Sequence, residues 1–160
     1  MAEAKDIDDS LEFLRYFEKN TENPDLGTLI REKVSTDKKF LNLLSCQLKE
    51  EDFRAIAGFG PIKSLSSLNL DQTGLNSGGL QSLSASKFFC NLETLSFANN
   101  NLDDEALFFL SKCRALTRLK TLNLSSNEIG SLGAKVLSLA EGMINLEQLI
   151  MPSAKESTFA

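Results

Sequence analysis

Apolar residues recur along this chain at one spacing. From Leu65 the order is Leu65-x-x-Leu68-x-Leu70-x-x-Thr73-x-Leu75. The same frame returns as Leu92, Leu95, Phe97, Asn100, Leu102 and again as Leu119, Leu122, Leu124, Asn127, Ile129. Upstream it fits Lys38, Leu41, Leu43, Cys46, Leu48; downstream it fits Leu146, Leu149, Met151 and then decays. The frames start at 38, 65, 92, 119 and 146, each 27 residues apart with no insertion. Each Leu-x-Leu stretch predicts a short strand with alternate residues buried. The triplets Leu48/Phe53/Ile56, Leu75/Leu80/Leu83, Leu102/Leu107/Leu110 and Ile129/Ala134/Leu137 then carry helical spacing. One apolar residue (Ile62, Phe89, Leu116, Met143) closes each turn. No unit of this size buries its own apolar face, so neighbours must stack.

Cys46, Thr73, Asn100 and Asn127 form a column at the strand-to-helix bend. Side chains there can bond backbone groups that the bend leaves unpaired, and Asn does so best. The N-terminal repeats, with Cys and Thr, are expected to be looser. Residues 1–37 break the period and predict a helical N-terminal cap. Asp9 and Glu12 make a capping box for a first helix near 10–19, and Asn23-Pro24 opens a second near 24–34. Leu26 and Leu29 share the phase of Phe53 and Ile56, which places the second helix in the helical layer and the first over the end of the core. Residues 152–160 read as a flexible tail.

The frame resembles the leucine-rich repeat family, L-x-x-L-x-L-x-x-N/C-x-L, over residues 38–151. Ile129-x-x-x-Gly133-Ala134-x-x-Leu137 and Leu75-x-x-x-Gly79-Leu80-x-x-Leu83 look like its ribonuclease-inhibitor-like class, although the repeat is a residue or two short. The resemblance implies an α/β right-handed solenoid, with a parallel sheet on the concave face and helices on the convex one. It also implies protein binding, since members of that class include enzyme inhibitors, immune sensors and bacterial effectors. The ending Lys155-Glu-Ser-Thr-Phe159-Ala160 resembles C-terminal translocation signals of intracellular effectors.

Composition narrows the chemistry. The 160 residues include 28 Leu and no His, so no imidazole base or His-ligated metal is available. The net charge of −5 sits wholly in residues 1–37, which hold 5 Lys/Arg against 10 Asp/Glu; residues 38–160 hold 12 of each. A neutral body offers no field for a phosphate backbone or an anionic membrane. No apolar run approaches membrane-spanning length, and the N-terminus lacks the order of a secretory signal. Three cysteines at unrelated spacings suit a reducing compartment, so a cytoplasmic location is expected, with delivery into a host cell if the effector resemblance holds.

The acidic triplets Glu50/Glu51/Asp52 and Asp103/Asp104/Glu105 fall on first turns of helices, where the dipole favours them. Gly78-Gly79 and Gly58-Phe59-Gly60 lack the context of a phosphate loop. No catalytic, cofactor or metal residues are assigned, and the chain reads as a non-enzyme. The candidate contacts are the strand and post-strand residues expected to face outward: Phe40, Asn42, Leu44, Asn69, Asp71, Gln72, Ser96, Asn99, Asn123 and Ser126. Their middle is small and neutral, so the N-terminal side is the expected contact zone. The basic run Lys112, Arg114, Arg118, Lys120 reads as a solvated face. The expectation is a module that binds another protein, such as an enzyme it inhibits or regulates, or else an adaptor or substrate-recruiting fragment, or a self-associating piece. An edge-to-edge homodimer through 146–151 is a further option, because no repeat follows that strand.

Overall fold

The computed structural model describes residues 11–59 and 64–153, without the side chains of 11–14 and 87–88. The Asp9/Glu12 capping box, Ile62 and the tail beyond Ser153 therefore lie outside the described residues. In chain order the elements are α1 (Leu11–Asn20), α2 (Leu26–Lys33), β1 (Phe40–Asn42), α3 (Glu50–Gly58), β2 (Ser67–Asn69) and α4 (Ser77–Ser84). A 3₁₀ turn (Lys87–Asn91), β3 (Thr94–Ser96), α5 (Asp104–Lys112), β4 (Thr121–Asn123), α6 (Ser131–Leu137) and β5 (Gln148–Ile150) follow.

The strands form one five-stranded parallel sheet in sequential order. Phe40, Ser67, Thr94, Thr121 and Gln148 lie side by side, so the register is the 27-residue period itself. Each helix from α3 to α6 packs on the next, which makes the chain a solenoid. The central leucines Leu41, Leu68, Leu95 and Leu122 are at most 1% exposed, and the second-half residues Phe53, Ile56, Leu80, Leu83, Leu107 and Leu110 complete the core behind them.

The bend column is the hydrogen-bonding spine of this core. Asn100 Oδ1 accepts the N–H groups of Thr73, Gly74 and Leu75 at 3.0–3.1 Å, and its Nδ2 donates to Leu70 O at 2.8 Å and Phe97 O at 3.0 Å. Asn127 repeats the move one turn later, accepting from Leu102 N at 3.0 Å and donating to Phe97 O at 2.8 Å. Each Asn thus closes the bend of the repeat before it. Thr73 donates only within its own repeat, to Leu70 O at 2.8 Å, apart from a long 3.4 Å contact to Asn100, and Cys46 Sγ lies 3.8 Å from Leu44 O. No side chain of that column stitches the second repeat to the first.

The cap differs from the expected arrangement. Helix α1, not α2, lies against α3: Tyr16 Oη donates to Ala55 O at 2.9 Å, and the Tyr16 and Phe17 rings sit 5.1 and 4.9 Å from that of Phe59. Helix α1 brings two aromatic rings, Tyr16 and Phe17, against Phe59 at the end of α3, and this aromatic cluster holds α1 beside α3. Helix α2 packs instead on α1 and β1, burying Leu26 and Ile30. It also starts later than the Asn23-Pro24 signal: those residues form a turn in which Asn23 Oδ1 accepts from Asp25 N at 3.2 Å. After α2 the chain covers the first edge of the sheet, with Val34 bridging antiparallel to Leu41 and Ser35 N donating to Phe40 O at 2.8 Å. The opposite edge, β5, has a strand on one side only, and Leu149 there is 43% exposed.

Candidate interaction surface

Residues flanking the buried leucine of each strand point away from the core. Phe40 and Leu44 are 52% and 47% exposed, the large apolar side chains at the N-terminal end of this surface. Phe40 is held by a small polar turn: its N–H donates to Ser35 Oγ at 3.0 Å, and Asp37 Oδ1 accepts from Ser35 Oγ at 2.5 Å and Lys39 N at 3.1 Å. Those bonds hold the exposed Asp37 carboxyl below its ordinary range.

Several predicted contacts are engaged by the backbone. The second residue after each strand presents an N–H on the outer surface, and each repeat deals with it. Asn42 Oδ1 accepts that of Leu44 at 3.1 Å, Asn69 that of Asp71 at 2.8 Å, and Asn123 that of Ser125 at 3.0 Å. In the third repeat Ser96 replaces Asn, and the N–H of Ala98 goes to Asp71 Oδ1 at 2.7 Å; Ser96 Oγ donates to the same oxygen at 2.6 Å. In the fifth the pair is Ile150 and Pro152, and proline has no N–H to satisfy. Asp71 is therefore a strut between the second and third repeats. Asn42, Asn69 and Asn123 shape the surface by turning the chain after each strand.

Gln72, Asn99 and Ser126 are exposed and keep free-standing ends, though Gln72 Oε1 accepts from Ser45 Oγ at 2.9 Å. The four residues Ser45, Gln72, Asn99 and Ser126 all have left-handed backbone, φ 61, 56, 53 and 54°. Only Asn99 carries a residue type that signals this conformation. One margin of the sheet carries charge: Lys120 Nζ lies 2.9 Å from Glu93 Oε2 and Arg118 lies 3.7 Å from Glu93 Oε1. The bond to Lys120 lowers the Glu93 carboxyl, and Glu93 in turn raises Lys120. The other members of the basic run are also occupied, Arg114 with Glu141 at 3.2 Å and Lys112 over the Phe108 ring at 5.4 Å.

The acidic triplets act on the backbone. Asp52, 1% exposed, accepts from Lys49 N at 2.9 Å and from the Thr21 hydroxyl, tying the cap to α3. Asp103 Oδ1 accepts from Ala106 N at 3.0 Å, and Asp104 Oδ1 from Gly130 N at 2.8 Å. Burial raises the Cys113 thiol, which disfavours the thiolate a nucleophile needs. Among the described residues no group of three or more Cys, Asp and Glu is placed to hold a metal ion.

Residues 90–137, spanning the third and fourth strands with their helices, match the family model described as Leucine Rich repeats (2 copies). The fold is that of a leucine-rich-repeat solenoid. An internalin from Listeria monocytogenes is a similar solved structure, at 17% sequence identity and a TM-score of 0.38 over 84% of this chain and 45% of that chain. The solenoid thus spans less than half the length of that protein. No curated protein matches it. Among the described residues no helix is long and apolar enough to cross a membrane.

Proposed function

We infer that this leucine-rich-repeat solenoid is a non-catalytic protein-binding module, with its contact zone on the N-terminal part of the strand face. The observation that carries this reading is the exposure of Phe40 and Leu44 at the N-terminal end of a surface whose middle residues are small and polar. Aromatic and aliphatic anchors ringed by polar groups suit a partner surface that loses its water on contact. Gln72 and Asn99, exposed beside them, supply adaptable donors and acceptors. The regular convex helices support assignment to the ribonuclease-inhibitor-like class, and such a surface suits occlusion of an enzyme. An adaptor role within a longer protein would use the same residues.

The test is capture of partners from a lysate by the intact chain, compared with Phe40→Ser plus Leu44→Arg on the strand face and Lys112→Glu plus Lys135→Glu on the helical face. Partners lost only with the first pair support the assignment. Partners lost only with the second pair reverse it. Both pairs replace exposed side chains, so thermal stability should stay within about 1 kcal/mol of wild type.

A further inference from the structure

The two ends of the solenoid are finished differently. At the first edge Val34 and Ser35 cover β1, and α1 and α2 close the core. At the last edge, among the described residues, no element covers the core. The position that is at most 1% exposed in the first four strands is Leu149 in the fifth, at 43%. Around it a groove of about 240 Å³ is lined by Ala134, Leu137, Ser138, Met143, Leu146 and Met151, among others. We propose that a second copy of this chain covers this end, pairing β5 with β5 antiparallel about a two-fold axis at Leu149.

Three observations select that occupant. The first is backbone parity. Gln148 N donates to Lys120 O at 2.9 Å and Ile150 O accepts from Leu124 N at 2.7 Å, so residues 148 and 150 face β4. Leu149 and Met151 turn their N–H groups outward. The carbonyl of Glu147 is the acceptor that the next strand uses at Ser66, Glu93 and Lys120. Centring an antiparallel pair on Leu149 joins its N–H and C=O reciprocally to those of its copy. The same register carries each Met151 N–H to the other chain's Glu147 carbonyl. Pro152 ends the row of donors, which confines the pairing to 147–151.

The second observation is closure. A head-to-tail contact would need an open first edge, which Val34 and Ser35 occupy. Pairing β5 with β5 uses the same edge in both copies, so the assembly stops at a two-fold dimer. The sheet becomes continuous across the axis, the Leu149 side chains meet on the core side, and the small residues Ala134 and Ser138 let the α6 helices approach. The third is charge. The cap residues 11–37, at the far end, hold 4 Lys/Arg against 6 Asp/Glu, and residues 38–160 are balanced. Joining the open ends keeps the two acidic caps far apart, and Glu147 faces Met151 rather than another carboxylate.

The test uses the full chain in light scattering from about 1 to about 500 µM, since association must follow mass action. The expected mass rises toward twice 17.6 kDa, and Leu149→Lys, with an unchanged circular dichroism spectrum, stays at the monomer value. A cysteine pair reads the register independently. In a Cys90→Ser background, Gln148→Cys with Ile150→Cys forms an interchain disulfide. Gln148→Cys alone does not, because 148 meets 150 and not its own copy. A wild type that is monomeric throughout overturns the proposal, as does a dimer that survives Leu149→Lys. Cross-linking by the single cysteine variant also overturns it. A chain that dimerises only after removal of 154–160 assigns the groove to that segment and overturns it as well.

Discussion

Asn100→Ala removes the centre of the bend column. Its Oδ1 holds three backbone N–H groups, those of Thr73, Gly74 and Leu75, and its Nδ2 holds the carbonyls of Leu70 and Phe97. Thr73 and Leu75 are fully buried, so water cannot replace the lost acceptor there, whereas Gly74 is exposed and can be hydrated. Each buried donor left unpaired costs about 1–3 kcal/mol, which sets the expected loss for the two at about 2–6 kcal/mol. Asn127→Ala, whose oxygen takes the N–H of Leu102, should cost about 1–3 kcal/mol on the same scale. Thr73→Ala removes one hydroxyl bond within its own repeat and should cost about 1 kcal/mol. Urea unfolding followed by circular dichroism measures all three, provided the slope m is unchanged. The ordering Asn100 above Asn127 above Thr73 is the result the geometry requires. An Asn100→Ala variant within about 1 kcal/mol of wild type would falsify the view that the column closes the preceding bend.

Other consequences are as direct. Gly142→Ala would drive its Cβ into the backbone carbonyl oxygen of Cys113, which cannot swing aside, and a loss of about 3 kcal/mol is expected in the same unfolding assay. Ser126→Val, at φ 54°, should cost about 1–2 kcal/mol, while Ser126→Gly should stay within about 0.5 kcal/mol of wild type; equal effects would refute the left-handed assignment. Glu93 has a folded pKa below its unfolded one, so its contribution is present at neutral pH and fades as pH falls through the folded value. Glu93→Gln should therefore be less stable than wild type at pH 7 and equal to it in acid, and added salt should narrow the neutral-pH gap. Lys120, raised by the same pair, makes its contribution below the usual lysine range and loses it as pH rises through the folded value.

Much of the fold was legible because a repeat of constant length fixes register without further information. Every strand pairing joins residues 27 apart, and each residue at the Leu41 phase takes the same inward place. The cap was less legible because it has no repeat to be measured against. Leu26 carries the right phase and is buried, yet α1 wins the place beside α3 through Tyr16 and Phe17. Helical phase shows which face of a segment is buried, but it does not say which neighbour buries it.

The strand face shows why contact residues are harder to read than core residues. Outward position alone made Asn42, Asn69, Asp71, Ser96 and Asn123 candidates, but position does not distinguish a side chain offered to a partner from one already bonded to the chain. The distinction lies in a second column, two residues further on, where Leu44, Asp71, Ala98, Ser125 and Pro152 each present or lack an N–H. Asn precedes Leu44, Asp71 and Ser125, and each pair is bonded. Where Ser96 cannot fill the role, Asp71 reaches across from the repeat before, and where Pro152 removes the donor, Ile150 takes the place of Asn. Read as pairs, these two columns assign the asparagines and Asp71 to the turn. Phe40 and Leu44 are left as the large side chains on the N-terminal strand face that the fold itself does not use.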